Sequence, residues 1–166
     1  CSGGADAVFE RDMKERRKGI NIRESMLDER TAETLIALSV DWEAENSSHG
    51  YRRNGIEDLE GNRVFLAEEK GEIIGYLFGK LEKAKTTSSV MPEGTACFEV
   101  EELYVKPAYR SQGVGSALFR YAEEAVRGEA EFVTLGTATK NFQAILHFYI
   151  DELGMEFWSA RLFKKL

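Results

Sequence analysis

The spacing of hydrophobic residues changes repeatedly along the chain, and each change predicts a switch between strand and helix. Five segments that alternate or form short apolar runs predict strands; they are Ile20–Arg23, Val64–Glu68, Ile73–Leu81, Ala96–Val105 and Phe132–Leu135. Two further alternating segments, Met155–Trp158 and Ala160–Phe163, predict a final pair of strands.

Helical spacing separates these strands. A first helix is capped by Asp28 or Thr31, and a short second helix is predicted just before residue 61. The clearest helix is Val114–Arg127, whose apolar residues form a single stripe. Asn141 caps a further helix that extends to about Glu152. The order β-α-(α)-β-β-β-α-β-α-β-β predicts a mixed α/β domain.

The composition is typical of one globular domain. The chain has 166 residues, of which 43% are hydrophobic and 31% are charged. Residues 1–18 are polar and rich in charge, so we interpret them as an N-terminal extension of a domain that covers residues 19–166. No apolar run approaches the roughly 20 residues that cross a bilayer, and no signal-peptide pattern is present.

The charge and the cysteine content narrow the partners. A net charge of −7 disfavours nucleic acid and anionic membranes and favours a cationic partner. Cys1 and Cys97 do not make a disulfide framework, so we expect a cytoplasmic protein. His49 and His147 lack ligand-like spacing with the cysteines, so we expect no metal site.

The segment Val105–Ala117 carries the most informative pattern. A strand ends, a turn containing Arg110, Gly113 and Gly115 follows, and a helix begins at once. Such a turn aims backbone N–H groups at an anion, and the start of the helix adds roughly half a positive charge. Glycine lets the backbone approach that anion closely. The pattern therefore predicts a diphosphate site, with an ordinary glycine turn as the alternative.

Two other phosphate motifs fit this turn poorly. A Walker A loop would place a lysine before the hydroxyl residue, but Ser116 follows Gly115 directly. A dinucleotide-binding turn would need a third glycine, which is missing at the required spacing.

Three segments together resemble the GNAT acetyltransferase superfamily. Arg110–Gly115, preceded by Glu101–Val105, resembles motif A of that family. Asn141–Tyr149 resembles its N-x-x-A-x-x-F-Y helix, and Ile74–Gly79 resembles its third strand. The resemblance extends from Ile20 to the end of the sequence.

The resemblance implies the GNAT fold, a central mixed sheet that splays open beside the motif A strand. Acetyl-CoA, the implied co-substrate, would lie in that gap with its diphosphate on the turn and its pantetheine paired along the strand. The implied cofactor-binding residues are Leu103, Tyr104, Val105, Arg110, Ser111, Gln112, Gly113, Val114, Gly115, Ser116, Asn141 and Phe148. One departure is visible, because three residues rather than two separate Tyr149 from Leu153-Gly154.

Acetyl transfer to an amine needs a base, because a free alkylamine has a pKa of about 10 and is mostly protonated at neutral pH. The motif A strand offers Glu99, Glu101 and Glu102. With a period of two, Glu99 and Glu101 share a face with Leu103, and Glu102 shares the other with Val100. Such carboxylates attract an ammonium group and raise one another's pKa values.

The resemblance favours Glu101 as the base, because spermidine/spermine N-acetyltransferase carries a glutamate linked to proton removal at the matching position. Glu99 also matches a position that holds bases in related enzymes, and a solvated strand face is the alternative interpretation. By the same resemblance the N–H of Val105 stabilises the thioester carbonyl. Tyr149 is the candidate acid for the departing thiolate, with a core tyrosine as the alternative. An acetyl-Cys97 intermediate is disfavoured, because no histidine lies near it in sequence.

The acceptor is expected to meet Trp42, Glu45 and Glu102. These carboxylates suggest a small cationic amine, such as a polyamine or an aminoglycoside, that attacks acetyl-CoA directly in a ternary complex. An exposed acidic helix face explains Glu45 equally well. Two other functions stay open: acetylation of a protein or peptide amine, and a non-catalytic acetyl-CoA-binding module. A homodimer is an expectation from the family alone.

Overall fold

The computed structural model describes residues 19–166, and the predicted extension, residues 1–18, lies outside the described residues. Its strands are β1 Ile20–Ser25, β2 Arg63–Glu69, β3 Glu72–Lys83, β4 Ala96–Val105 and β5 Phe132–Leu135. Its α-helices are α1 Glu29–Glu45, α2 Ile56–Leu59, α3 Val114–Val126 and α4 Phe142–Leu146, and α4 continues as the π-helix His147–Glu152. These elements confirm the predicted order up to the last helix.

The sheet has the strand order β1-β2-β3-β4-β5. Neighbouring strands are antiparallel except β4 and β5, which are parallel. The β4–β5 pairing covers only Cys97–Val100, opposite Phe132–Leu135, whereas β4 continues to Val105. The two strands therefore separate beyond Val100, as the resemblance implies for this fold.

The core lies on both faces of the sheet. On one face α3 packs on a cluster that includes Phe65, Phe98 and Leu118, all fully buried. On the other face α1 packs through Leu35 against Tyr76 and its neighbours. Among residues 19–166, no helix combines the length and hydrophobicity that crossing a bilayer requires.

A bulge in β4 changes which of its side chains share a face, compared with the simple alternation that was predicted. Phe78 pairs with Glu102 while the next residue, Gly79, pairs with Val100, so Glu101 is the extra residue. Val100 consequently packs in the cluster beneath α3, together with Leu103 and Val105. Glu102 and Tyr104 face α1 instead, so the prediction that Glu102 shares a face with Val100 is wrong.

The predicted final strands are absent from the described chain. Residues 156–166 form no backbone hydrogen bonds within residues 19–166, and their apolar side chains are exposed, with Leu162 at 95%. Their alternation resembles that of a strand, but a strand also needs a neighbouring backbone to pair with. No strand among the described residues lies beside this segment, so the alternation alone was a poor guide.

Candidate active site

The turn between β4 and α3 presents a row of backbone N–H groups. A short 3₁₀ turn, Pro107–Tyr109, leads to Gly113, the N-cap of α3. Ser111 and Gly113 both have positive φ angles, 59° and 81°. Within residues 19–166, none of the six N–H groups from Ser111 to Ser116 donates a hydrogen bond. This row, at the positive end of a helix, suits an anion such as a diphosphate.

The two glycines of this turn are needed for different reasons. Gly113 is left-handed, a conformation that costs glycine little. A Cβ at Gly115 would lie 3.3 Å from the Cζ atom of Phe148 and 3.9 Å from Val105. Gly115 therefore also allows α3 to pack closely on Phe148, a reason that the motif did not reveal.

Side chains of the turn are used within the protein. The amide of Gln112 donates to the carbonyl of Ala108 at 2.9 Å, which fastens the turn. Val114 is buried in the core beneath α3. An anion at this turn would therefore be held mainly by the backbone.

The edge of β4 beside the opening carries backbone groups that do not pair with β3. In an antiparallel pair only alternate residues bond to the partner strand. The backbone N–H of Lys106 donates to the carbonyl of Ile74 on β3. Tyr104, two residues earlier, therefore also directs its backbone groups toward β3. Leu103 and Val105 consequently direct their N–H and C=O groups into the gap that β5 leaves. They lie where an extended chain of amides could pair as an added strand.

Arg110 does not point at the row of N–H groups. Its guanidinium lies 2.8 Å from Glu45 (Nη2 to Oε1), and its Nε donates to the carbonyl of Val105, also at 2.8 Å. The guanidinium covers the ring of Tyr104 at 5.4 Å from the centroid. The Tyr104 hydroxyl donates to Glu45 at 3.1 Å. Burial is the larger cause, and the nearby carboxylate the smaller one, that together raise the pKa of Tyr104 to about 12. Arg110, which was predicted to bind the cofactor, therefore forms an ion pair with Glu45, which was predicted to bind the acceptor.

Two of the predicted glutamates each pair with one side chain among residues 19–166. Glu101, at the bulge, forms an ion pair with Lys80 at 2.6 Å. Glu99 accepts a hydrogen bond from the hydroxyl of Thr134 on β5, at 3.2 Å. Both lie on β4 near the point where it parts from β5.

Glu102 has the most enclosed carboxylate of the three. Its Oε2 accepts hydrogen bonds from Tyr76 (2.8 Å), Asn54 (2.9 Å) and Tyr51 (3.4 Å). Its Oε1 accepts none within residues 19–166, and it is not a fully buried atom. Burial raises the pKa of Glu102 despite the three donors, because the loss of hydration outweighs them.

Aromatic rings stand around this carboxylate. The ring of Trp42 lies 4.3 Å from that of Tyr51 and 5.4 Å from that of Tyr104. Tyr76 lies 5.8 Å from Tyr104 on the neighbouring strand. Sequence reasoning placed Trp42 and Glu102 here but missed Tyr76 and Asn54. The alternation of β3 contained a signal for the tyrosine, whereas the asparagine lies in an irregular loop.

The end of α1 reaches both sides of the opening between β4 and β5. Glu45 contacts Arg110 and Tyr104 on the β4 side. On the β5 side, the backbone N–H of His49 donates to the carbonyl of Ala138 at 2.9 Å, and a bridge joins residues 48 and 139. The opening is therefore crossed by the residues that follow α1.

Tyr149 lies on the far side of the opening, in the π-helix after α4. Its ring packs on Phe148 and Phe119, at 5.0 and 6.0 Å, and burial raises its pKa to about 12. Asn141 begins α4 through its carbonyl, but its side chain makes no capping bond, so the predicted side-chain cap is wrong. Its exposed amide is left for other contacts.

Metal and thiol chemistry find little support. Residues 19–166 contain no group of three or more side chains placed to hold a metal ion. Cys97 is buried, and burial raises its pKa, so its thiolate is disfavoured.

The comparison with protein families decides the classification. The chain matches the profile of the Acetyltransferase (GNAT) family over residues 24–155. This chain belongs to the GNAT acetyltransferase family. No curated protein matches it in sequence.

Solved GNAT-like structures share the fold at low sequence identity. An acetyltransferase of Trypanosoma brucei is 19% identical, with a TM-score of 0.62 over 89% of this chain and 99% of that one. An aminoglycoside acetyltransferase from an uncultured soil metagenomic sample is 18% identical, with a TM-score of 0.62 and coverages of 89% and 98%. A ribosomal-protein-alanine N-acetyltransferase of Brucella melitensis is 16% identical, with a TM-score of 0.61 and coverages of 89% and 99%. At these identities the likeness establishes the fold.

In this GNAT chain the π-helix accounts for the extra residue after Tyr149. The N–H of Leu153 donates to the carbonyl of Phe148, five residues back, at 3.1 Å. A π-turn of this kind absorbs one added residue without displacing the helix before it. Phe148 consequently keeps its contact with Gly115.

Proposed function

We propose that this GNAT chain transfers the acetyl group of acetyl-CoA to the primary amine of a small cationic molecule, by direct attack in a ternary complex. One observation carries the proposal: six N–H groups that donate no hydrogen bond within residues 19–166 lie beside an opening in the sheet, and the α1 side of that opening holds a partly buried carboxylate near aromatic rings.

The turn would hold the diphosphate of acetyl-CoA through the N–H groups of Ser111–Ser116. The backbone of Leu103 and Val105 would pair with the pantetheine arm, and the Asn141 amide would reach the same arm. Phe148 would line the arm from the α4 side. When bound, acetyl-CoA supplies the thioester, and the N–H of Val105 would face its carbonyl oxygen.

The acceptor would place its ammonium group at Glu102. The aromatic faces of Trp42 and Tyr51 attract a cation, and the Oε1 of Glu102 has no competing donor within residues 19–166. Three donors on Oε2 hold that carboxylate in one orientation. Glu45 adds negative charge at the rim of the same site.

The amine must lose a proton before it attacks. A carboxylate with a raised pKa is a better proton acceptor, so we infer that Glu102 both binds the ammonium and accepts its proton. Glu101, the base that the family resemblance favours, is paired with Lys80, and Glu99 is held by Thr134. Both stay alternatives, directly or through a water molecule.

Tyr149 is the candidate group for stabilising the departing thiolate. Its raised pKa of about 12 keeps the hydroxyl protonated at neutral pH. An ordinary thiol has a pKa of about 8.5, well below that of Tyr149, so the hydroxyl would stabilise the thiolate mainly by donating a hydrogen bond to it.

The bridge across the opening favours a small acceptor. Residues 47–49 pair with residues 138–140, which narrows the approach on the α1 side. A protein substrate would need an open groove there. The names of the similar structures include both an aminoglycoside and a ribosomal-protein acetyltransferase, so they do not favour either class.

The first experiment measures coenzyme A release from acetyl-CoA with a panel of polyamines, aminoglycosides and N-terminal or lysine peptides. We expect turnover with cationic small molecules and little with peptides. Faster turnover of peptides than of small amines would indicate that the acceptor is a protein and not a small molecule. Calorimetric binding of acetyl-CoA without turnover of any amine would indicate a non-catalytic binding module, and no binding at all would refute the proposal.

A further inference from the structure

Arg110 and Glu45 form an ion pair in this structure, although the family resemblance assigns Arg110 to the cofactor and the proposed function assigns Glu45 to the acceptor. The guanidinium of Arg110, at the start of the turn, lies 2.8 Å from the carboxylate of Glu45. Glu45 is the last residue of α1, on the acceptor side. The contact is therefore a direct link between the two halves of the site.

Local forces explain why the pair forms. A carboxylate at the C-terminus of a helix meets the negative end of the helix dipole and needs a positive partner. Arg110 supplies it, and Tyr104 donates a second hydrogen bond to the same oxygen, Oε1. The hydrogen bond from Arg110 Nε to the carbonyl of Val105 and the contact with the Tyr104 ring hold the guanidinium on the α1 side, away from the row of N–H groups.

The pair is placed to exchange partners. The side chain of Arg110 is 42% exposed and that of Glu45 is 23% exposed. An ion pair so close to solvent contributes little to stability, so a more highly charged partner can displace it. A phosphate group accepts two parallel hydrogen bonds from the planar guanidinium, and a diphosphate carries more than one negative charge.

We propose that Glu45 is a positioning residue, which holds Arg110 until the diphosphate of coenzyme A draws the guanidinium away and so frees the Glu45 carboxylate for the acceptor's ammonium. This inference rests on the proposed function. Because coupling between two ligands is reciprocal, a cation bound at Glu45 also releases Arg110 and strengthens the binding of coenzyme A.

The test measures the affinity of coenzyme A by calorimetry for the wild type, Glu45→Gln, Arg110→Ala and the double variant. Glu45→Gln is expected to bind coenzyme A about three- to fivefold more tightly, because Arg110 no longer has to leave a partner. In the Arg110→Ala background the same substitution is expected to change the affinity less than about 1.5-fold.

Glu43→Gln is the matched control. It removes an equal charge two residues away on α1, and its carboxylate is paired with Arg53 rather than with the turn. Its effect on coenzyme A affinity is expected to stay below about 1.5-fold. If Glu45→Gln and Glu43→Gln behave alike, or if the gain persists without Arg110, charge alone is responsible and the exchange is refuted.

Kinetics add a readout that loss of structure would not produce. In Glu45→Gln the KM for acetyl-CoA is expected to fall while the KM for the amine rises. A damaged fold would raise both or lower kcat alone, and either pattern counts against the exchange. If the wild type turns over amines but the variants do not behave as expected, only this inference is overturned. If the wild type binds no coenzyme A, the proposed function is overturned as well.

Discussion

The proposed cofactor side of the site consists mainly of backbone, whereas the proposed acceptor side consists of side chains. On the cofactor side, six N–H groups come from the single segment Ser111–Ser116. On the acceptor side, Trp42, Tyr51, Asn54, Tyr76 and Glu102 come from a helix, a loop and two strands. A backbone site depends on local conformation, so one substitution should damage it by strain. A side-chain site depends on packing, so its residues should be coupled to one another.

The largest loss of activity is expected at Glu102, on the acceptor side. Glu102→Gln is expected to lower kcat/KM for a cationic amine by about 100-fold or more, because the variant neither attracts the ammonium nor accepts its proton. Steady-state kinetics and calorimetry of coenzyme A would check this, and the affinity for coenzyme A is expected to change less than about twofold. A larger loss in Glu101→Gln than in Glu102→Gln would instead identify Glu101 as the base.

The cofactor side is tested by strain at Gly113. Gly113→Val forces a β-branched residue into the left-handed region, which costs about 1–2 kcal/mol and moves the N–H groups. We expect the affinity for coenzyme A to fall by roughly tenfold or more. Gly136→Ala is the control, because its φ is not positive and a Cβ there meets no atom within 4 Å. Equal affinities in the two variants would show that the turn does not hold the cofactor.

Coupling within the acceptor side is tested at Tyr76. Tyr76→Phe removes the shortest hydrogen bond to the Glu102 carboxylate, so the free energy of unfolding should fall by about 1–2 kcal/mol. Urea unfolding would measure it. Tyr121→Phe is the control, since Tyr121 is 41% exposed and forms no hydrogen bond within residues 19–166; a similar loss in both variants would contradict a special role for Tyr76.

The smallest expected effect is on the pH dependence of stability. Glu102 has a higher pKa folded than unfolded, so the folded chain binds its proton more tightly. Its stabilising contribution is complete below the unfolded pKa of about 4.3 and is lost as pH rises through the raised pKa. The free energy of unfolding of wild type minus that of Glu102→Gln should therefore decrease with rising pH over this window. Urea unfolding at several pH values would show it, and a constant difference would mean that the carboxyl titrates normally.

Sequence patterns were reliable where the structure depends on local interactions. The five strands and the turn after Val105 were predicted because their hydrophobic spacing, caps and glycines act within a few residues. Asp28 is the N-cap of α1, and its side chain accepts the N–H of Thr31 at 2.7 Å. The opening beside β4 was expected only through the resemblance to the GNAT family.

The bulge in β4 shows where local patterns failed. Alternation places Glu102 on the face of Val100, but one extra residue at Glu101 reverses the rest of the strand. Gly79 carried an overlooked signal, because a Cβ there would lie 2.2 Å from the carbonyl oxygen of Glu99. The predicted strands after residue 154 failed for a related reason, since pairing depends on a partner that the segment itself does not contain.

By itself, the sequence determined the order of elements up to the last helix, the glycine-containing turn after Val105 and the row of N–H groups, because bond geometry and short-range sterics act on neighbouring residues. Only the tertiary structure decided which carboxylate is enclosed, that Arg110 turns to Glu45, and that Tyr76 and Asn54 join the site. Those outcomes depend on distances between residues far apart in the chain. Packing and desolvation set such distances, and neither can be determined from a segment alone.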